Sequence, residues 1–305
     1  MNELITDVKS LELETLKNLK NSKSSNTLRA YQADFRDFSI FCEKNGLTAI
    51  PTEPKIISIY LTNLSKTSKF STLKRRIASI SVIHKIKGHY LDTKHPIIIE
   101  NLLGIKRLKG SRQLAKKPIL INDLKLIIKA IDEIEQQEFK KLRDKAIILI
   151  GFSGGFRRSE LVNLEYEDLE FVPEGVKLLI KRSKTDQSGE GSIKAIPYFN
   201  NEKYCPVKVL KKWIAITNIK SGKIFNISDK SVSLIIKKYT QIVGLDPKRY
   251  GGHSLRSGFA TSAAESGAEE RNIMAMTGHK TTQMVRRYIN EANLFKNNAL
   301  NKIKI

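Results

Sequence analysis

Between residues 24 and 46 apolar side chains recur every third or fourth position, at Leu28, Tyr31, Phe35, Phe38 and Phe41. That spacing puts them on one face and predicts a helix. Ser24, Ser25 or Asn26 can cap its start, and Gly46 supplies its stop. The same pattern predicts a helix after Pro54, with Ile57, Tyr60, Leu61 and Leu64 on one side. A third runs over residues 71–86 (Leu73, Ile77, Ile80, Ile83) and ends at Gly88. A short fourth opens at Pro96 and lasts through Leu103. A further helix candidate lies around Leu11 to Leu19. Short connections between these helices predict an all-helical module over residues 1–105.

From 104 to 118 the pattern breaks. Apolar residues thin out, basic residues cluster, and Pro118 closes the stretch, so residues 106–118 read as a basic interdomain linker able to follow a phosphate backbone. The second domain, 119–305, begins with helices from about Asn122 and from about Glu138 to Leu149, then a Gly-rich turn at 151–155 and a short helix. Three short apolar runs follow, Leu169–Phe171, Val176–Ile180 and Ile193–Pro197, separated by turn residues. Helices resume at about 206–217, 229–243, 253–266 and 269–276. The fold class is therefore mostly α: an all-helical N-terminal domain, then an α+β domain with a small antiparallel sheet.

Composition adds a partner class. The 305 residues carry 54 Lys and Arg against 31 Asp and Glu, a formal charge of +23. A field of that sign attracts polyanions such as DNA, which carries one charge per roughly 1.7 Å of helix axis. A lysine-rich proteome is the bland alternative. Cys42 and Cys205 support neither a disulfide framework nor a zinc site. The N-terminus lacks a signal-peptide core, and the longest apolar run, Ala146–Phe152, falls far short of a membrane span. The expectation is a soluble cytoplasmic protein with no membrane partner.

Five local features then fall in order along residues 151–288. GFSGGFRRSEL holds Arg157 and Glu160; KRSKTDQ, on the hairpin, holds Lys184; HSLR gives His253 and Arg256; TGHK gives His279; and MVRRYIN gives Tyr288, nine residues later. Singly each has an ordinary reading. A tyrosine at helical spacing usually packs, arginines near helix ends cap them, and the glycines could simply turn the chain into a helix. That turn also lacks the GK[ST] of a nucleotide-binding loop. Order and spacing together change the weighing.

In these motifs the chain resembles the tyrosine recombinase, or phage integrase, family. The likeness is specific over 145–290 and architectural over the first hundred residues. It implies a helical core-binding, DNA-binding domain, then a catalytic domain using Arg157, Lys184, His253, Arg256, His279 and Tyr288. Arg158 stands where an apolar residue is usual, so the register of the first box rests on one residue. Lys181 is the fallback for the hairpin lysine. Glu160 is expected to hold an arginine in place.

The chemistry suits those residue types. Breaking a phosphodiester without a metal calls for cationic donors around the transferring phosphoryl group. Two guanidiniums offer rigid forks that never lose their charge. His253 and Arg256, three apart on a helix, can share one face. His279 would donate a further hydrogen bond. Tyr288 needs its proton removed or its phenolate stabilised, and Lys184 can protonate the leaving 5′-hydroxyl. The bond energy stays in a 3′-phosphotyrosine, so neither metal nor nucleotide cofactor is expected.

The implied partner is double-stranded DNA with a specific recombination site, on which the protein assembles as a tetramer. Residues 291–300, with Leu294, Phe295 and Leu300, could dock on a neighbour or pack at home. Lys74, Arg75 and Arg76, at a helix start, are candidate DNA contacts or a solubilising face. Rival readings are a type IB topoisomerase-like enzyme and a DNA-binding relative that has lost catalysis. Target sequence and biological role (integration, excision, dimer resolution or inversion) are not readable from the residues.

Overall fold

The computed structural model describes residues 7–110, 115–181, 186, 190–292 and 299–303. The chain divides into two compact units at about residue 113.

In the first unit α1 (Val8–Asn21) precedes α2 (Ser25–Lys44), α3 (Pro54–Ser65), α4 (Phe70–Ile86) and α5 (Pro96–Lys109). The Ser24 hydroxyl accepts from the Thr27 amide, a direct N-cap, and Pro54 and Pro96 sit in first turns, where a missing N–H costs nothing. Phe38, Ile57, Tyr60, Leu73 and Ile80 build the core where the helical spacing put them. One boundary differs. The fourth predicted helix runs beyond Leu103 to Lys109, because Ile105 continues the stripe begun by Ile98 into the same core. Gly110, at φ +71°, then ends it.

The two arginines of the α4 basic triplet pair with a buried carboxylate. Asp34 is 1% exposed, and the Arg75 guanidinium donates to it at 2.5 Å, Ser79 at 2.7 Å, while Arg76 pairs with it at 3.2 Å. Arg76 also reaches Asp37. These arginines compensate a buried carboxylate that would otherwise be costly. Lys74 lies over the Phe70 ring, and Lys74 and Arg75 stay exposed.

The second unit wraps its helices around α7 (Glu138–Ser153), whose residues Ala146 to Phe152 are buried on every side. That explains the continuous apolar run. Packed with it are α6 (Ile121–Ile134), α8 (Arg158–Val162), α9 (Pro206–Thr217), α10 (Asp229–Ile242) and α11 (His253–Glu265), while α12 (Glu270–Thr277) and α13 (Thr282–Ala292) pack on α11 around a second small core of Ala260, Ala264, Ile273 and Val285. The expected Gly-rich turn is shorter than residues 151–155. Gly151 lies inside α7, where a Cβ would meet Leu255 at 2.8 Å and Leu161 at 3.1 Å, so close packing and not a turn accounts for it, and the turn is confined to Gly154 and Gly155.

The sheet is an antiparallel meander of β1 (Leu169–Val172), β2 (Gly175–Ile180) and β3 (Ser192–Pro197). Its register pairs Phe171 with Val176, Val176 with Ile196 and Leu178 with Lys194. Lys194 thus shares the inward face of β3 with Ile196. No helix among the described residues is long and apolar enough to cross a membrane.

Candidate active site

The Gly154–Gly155 turn organises the site. Gly155 sits at φ +54°, and a Cβ there would press on Phe259 and Thr277 at 3.2 Å, so glycine serves both conformation and contact. Its carbonyl accepts from Arg256 Nη1 at 2.9 Å, and the Gly154 carbonyl accepts from Lys194 Nζ at 2.7 Å. The next ring, Phe156, lies 4.4 Å below that ammonium. Two cations are held by consecutive backbone carbonyls.

Arg157 enters from the start of α8. Its Nη1 donates to Glu160 Oε1 at 2.5 Å, and its Nη2 to the Gly278 carbonyl at 3.3 Å. Glu160, 5% exposed, also accepts the Arg157 backbone N–H at 3.0 Å and lies 3.9 Å from Lys194. One carboxylate therefore caps the helix, aims the arginine and balances the lysine. Arg158 points elsewhere, donating to Ser233 at 3.0 Å with its stem over Gly252. In this geometry Arg157, not its neighbour, belongs to the cluster.

Arg256, on α11, is 1% exposed. Its Nη2 is buried with no hydrogen-bond partner among the described residues, a cationic donor available to an anion's oxygen. Burial, then Arg157, lowers its pKa to about 10, so the guanidinium stays charged at neutral pH. His253, one turn earlier, presents Nε2 3.4 Å from the Tyr288 hydroxyl. Partial burial, then the charges of Arg256 and Arg157, lower the His253 pKa and favour a neutral ring that can accept a proton. Tyr288 comes from α13, with its ring centroid 5.9 Å from that of His279. His279 follows Gly278, whose φ of +61° closes α12 and turns the chain back toward Arg157. Burial, then Arg256 and Arg157, hold the His279 pKa at about 4.

The structure thus brings Arg157, Glu160, His253, Arg256, His279 and Tyr288 together from four separated stretches. Lys184 lies outside the described residues. Its fallback, Lys181, is paired with Glu165 at 2.6 Å and Asp168 at 2.9 Å, which raises its pKa. Lys74, Arg75 and Arg76 belong to the other unit. Sequence reasoning missed Lys194, 4% exposed, whose pKa burial depresses to about 8 despite the attraction of Glu160. A signal was available. In SIKAIP the lysine is two residues from Ile196, and period-two alternation puts both on the buried face.

The cluster holds two guanidiniums, one lysine, two imidazoles and one carboxylate around a phenol. Its excess of buried positive charge suits a phosphate. The sequence profile of the phage integrase family matches residues 119–294. The chain belongs to the phage integrase family.

The integrase/recombinase XerD homologue of Selenomonas ruminantium is 42% identical over 99% of this integrase-family chain and 92% of its own. The tyrosine recombinase XerC of Syntrophus aciditrophicus is 25% identical over 85% of this chain and 84% of its own. Among solved structures, XerH bound to its palindromic difH substrate superposes with a TM-score of 0.62 at 18% identity, covering 81% of this chain and 73% of that one. A lambda integrase dimer bound to a core site gives 0.59 at 20% identity, covering 96% and 98%. These structures show that the phage integrase fold is shared, a mostly helical chain with a three-stranded antiparallel sheet.

Proposed function

We propose that this chain is a site-specific recombinase that cuts duplex DNA with Tyr288, keeps the strand as a 3′-phosphotyrosine, and passes it to a partner strand. The observation that carries this reading is the Tyr288 hydroxyl, 3.4 Å from His253 Nε2, beside the buried Arg256 with its unpartnered Nη2. Arg157 and Arg256 receive the two non-bridging oxygens, where charge grows in the transition state. His253 takes the phenol proton as the tyrosine oxygen bonds to phosphorus and the bond to the 5′-oxygen breaks. Lys184 gives that oxygen its proton. Glu160 and Lys194 hold Arg157 and the glycine turn in place. Phosphoryl transfer between oxygens conserves the ester, so no nucleotide is consumed.

The proposed partner is double-stranded DNA carrying a recombination site, the kind of molecule on which XerH and lambda integrase were solved. Exchange between duplexes needs several protomers, and a tetramer on DNA is proposed. Leu294 and Phe295 of the tail lie outside the described residues, and the proposed seat for a neighbouring copy's tail is an apolar pocket of about 390 Å³ lined by Phe152, Phe199, Phe259, Ala263 and Met276 among others.

Two supercoiled plasmids carrying the cognate site test the reading. The full chain is expected to yield recombinant joints, and a chain ending at Ala292 to bind the site without producing them. Relaxed plasmids without joints would favour the topoisomerase-like alternative. Joints from the shortened chain would remove the tail from assembly.

The hairpin lysine has its own test. Lys184→Ala is expected to lower cleavage of an ordinary duplex by about 10²–10⁴-fold, the usual contribution of a general acid. A bridging 5′-phosphorothiolate, whose sulfur leaves without a proton, should restore most of that rate. A defect equal on both substrates would rule out proton donation by Lys184.

A further inference from the structure

Thr277 closes α12 with a fully buried side chain. Its hydroxyl oxygen lies 2.6 Å from the Ile273 carbonyl oxygen and 2.7 Å from His279 Nδ1. The carbonyl carries no hydrogen, so at 2.6 Å the hydroxyl proton must lie between the two oxygens. A threonine has only that one proton to give. What it offers His279 is a lone pair, so Nδ1 must carry a hydrogen and donate it. In a neutral imidazole with Nδ1 protonated, Nε2 is bare. The surroundings keep the ring neutral. It is 8% exposed and faces Arg256 and His253 from α11, Arg157 from the start of α8, Lys194 from β3 and Tyr288 from α13.

A bare Nε2 accepts hydrogen bonds and cannot donate one to a phosphate oxygen. The other tautomer would be a ready-made donor, and Thr277 excludes it. We propose that Thr277 is a positioning residue that fixes His279 as its Nδ1–H tautomer, so that His279 becomes a phosphate donor only by taking up a proton when DNA arrives. The DNA half of this rests on the recombinase reading above; the tautomer rests on the hydrogen bonds alone.

The exchange is simple to balance. A phosphate brings negative charge among the cations and favours the imidazolium. A proton from solvent forms the Nε2–H bond, with no oxidation or reduction, and returns to solvent when the DNA leaves. Until then the ring adds no further charge to an already cationic cluster. With phosphate present it supplies one more donor to the oxygens that accumulate charge.

Nitrogen NMR of the full chain without DNA, labelled at histidine, reads the tautomer directly. The His279 signals are identified by their loss in His279→Gln. Wild type and Thr277→Ser are expected to show a protonated Nδ1 and a bare Nε2, whereas Thr277→Val should move the ring toward Nε2–H. A wild-type ring already protonated at Nε2, or a Thr277→Val ring unchanged from wild type, would overturn the assignment. If the valine chain does not fold, the wild-type and serine spectra still decide it.

Covalent cleavage of a nicked duplex as a function of pH tests the second half. The wild-type rate should fall as pH rises past the point where the bound ring loses its proton. Thr277→Val, whose neutral ring already donates from Nε2, should not show that fall. Superimposable profiles would refute proton uptake. A wild type that cleaves no duplex at all would instead sink the recombinase reading and leave the tautomer to the spectra.

Discussion

Tyr288→Phe is expected to bind recombination-site DNA with wild-type affinity and to form no covalent adduct. The substitution removes one oxygen from a partly exposed ring on α13, so the cost to folding is small. It removes the group 3.4 Å from His253 Nε2 and leaves every cation of the cluster in place. Binding draws on contacts to many phosphates, none of which needs the phenol. Cleavage is expected to stop because the lost hydroxyl is the nucleophile in this reading, facing the His253 imidazole nitrogen. The measurement is an SDS-resistant complex on a duplex nicked beside the cleavage position, with digestion and mass spectrometry to locate the linked residue. An adduct that survives in the phenylalanine chain, or one mapped to another tyrosine, would reject the assignment. A wild type with no adduct on any such duplex would point to the decayed, DNA-binding alternative.

Arg256→Ala is expected to lower the cleavage rate by about 10²–10³-fold, the loss that follows removal of one preorganised donor to a transition-state oxyanion. The dissociation constant for DNA should move only a few-fold. Arg256 is 1% exposed, with Nη1 fixed by the Gly155 carbonyl and Nη2 unpartnered, so its value is concentrated where charge develops. Arg256→Lys should recover little, since an ammonium cannot hold the carbonyl and an oxygen at the two tines of a planar fork. Arg158→Ala is the matched control. Its side chain is turned to Ser233 and Asp229, and cleavage should stay near wild type. Equal losses in binding and cleavage for Arg256→Ala would show that the residue serves ground-state attraction, not the transition state.

Much of this was readable from residues because the signals were local. The Ser24 cap, the Phe35–Phe38–Phe41 spacing and the prolines opening α3 and α5 each specify an element without tertiary information. The site was readable for another reason: its donors lie in short motifs whose glycines, at 155 and 278, adopt positive φ and so tie residue type to backbone path. What escaped depends on distant partners. Nothing near Arg75 and Arg76 announces that Asp34, some forty residues earlier, will lie buried against them. The end of α5 was misplaced because Gly104 looks like a stop, while Ile105 has a core to meet. Lys194 was passed over since a charge within an apolar run reads as surface, and its destination, the Gly154 carbonyl, lies 40 residues away.

The glycine turn has a wider implication for how such a chain tolerates change. Lys194 and Arg256 are gripped by peptide oxygens, which every amino acid supplies, and not by side chains that a mutation could replace. Substitutions over the outside of the domain can therefore accumulate without loosening either grip, provided the two glycines and the helix that presents them persist. A scaffold of that kind can drift far in composition, and acquire new DNA preferences on its exterior, while the reacting centre keeps its spacing.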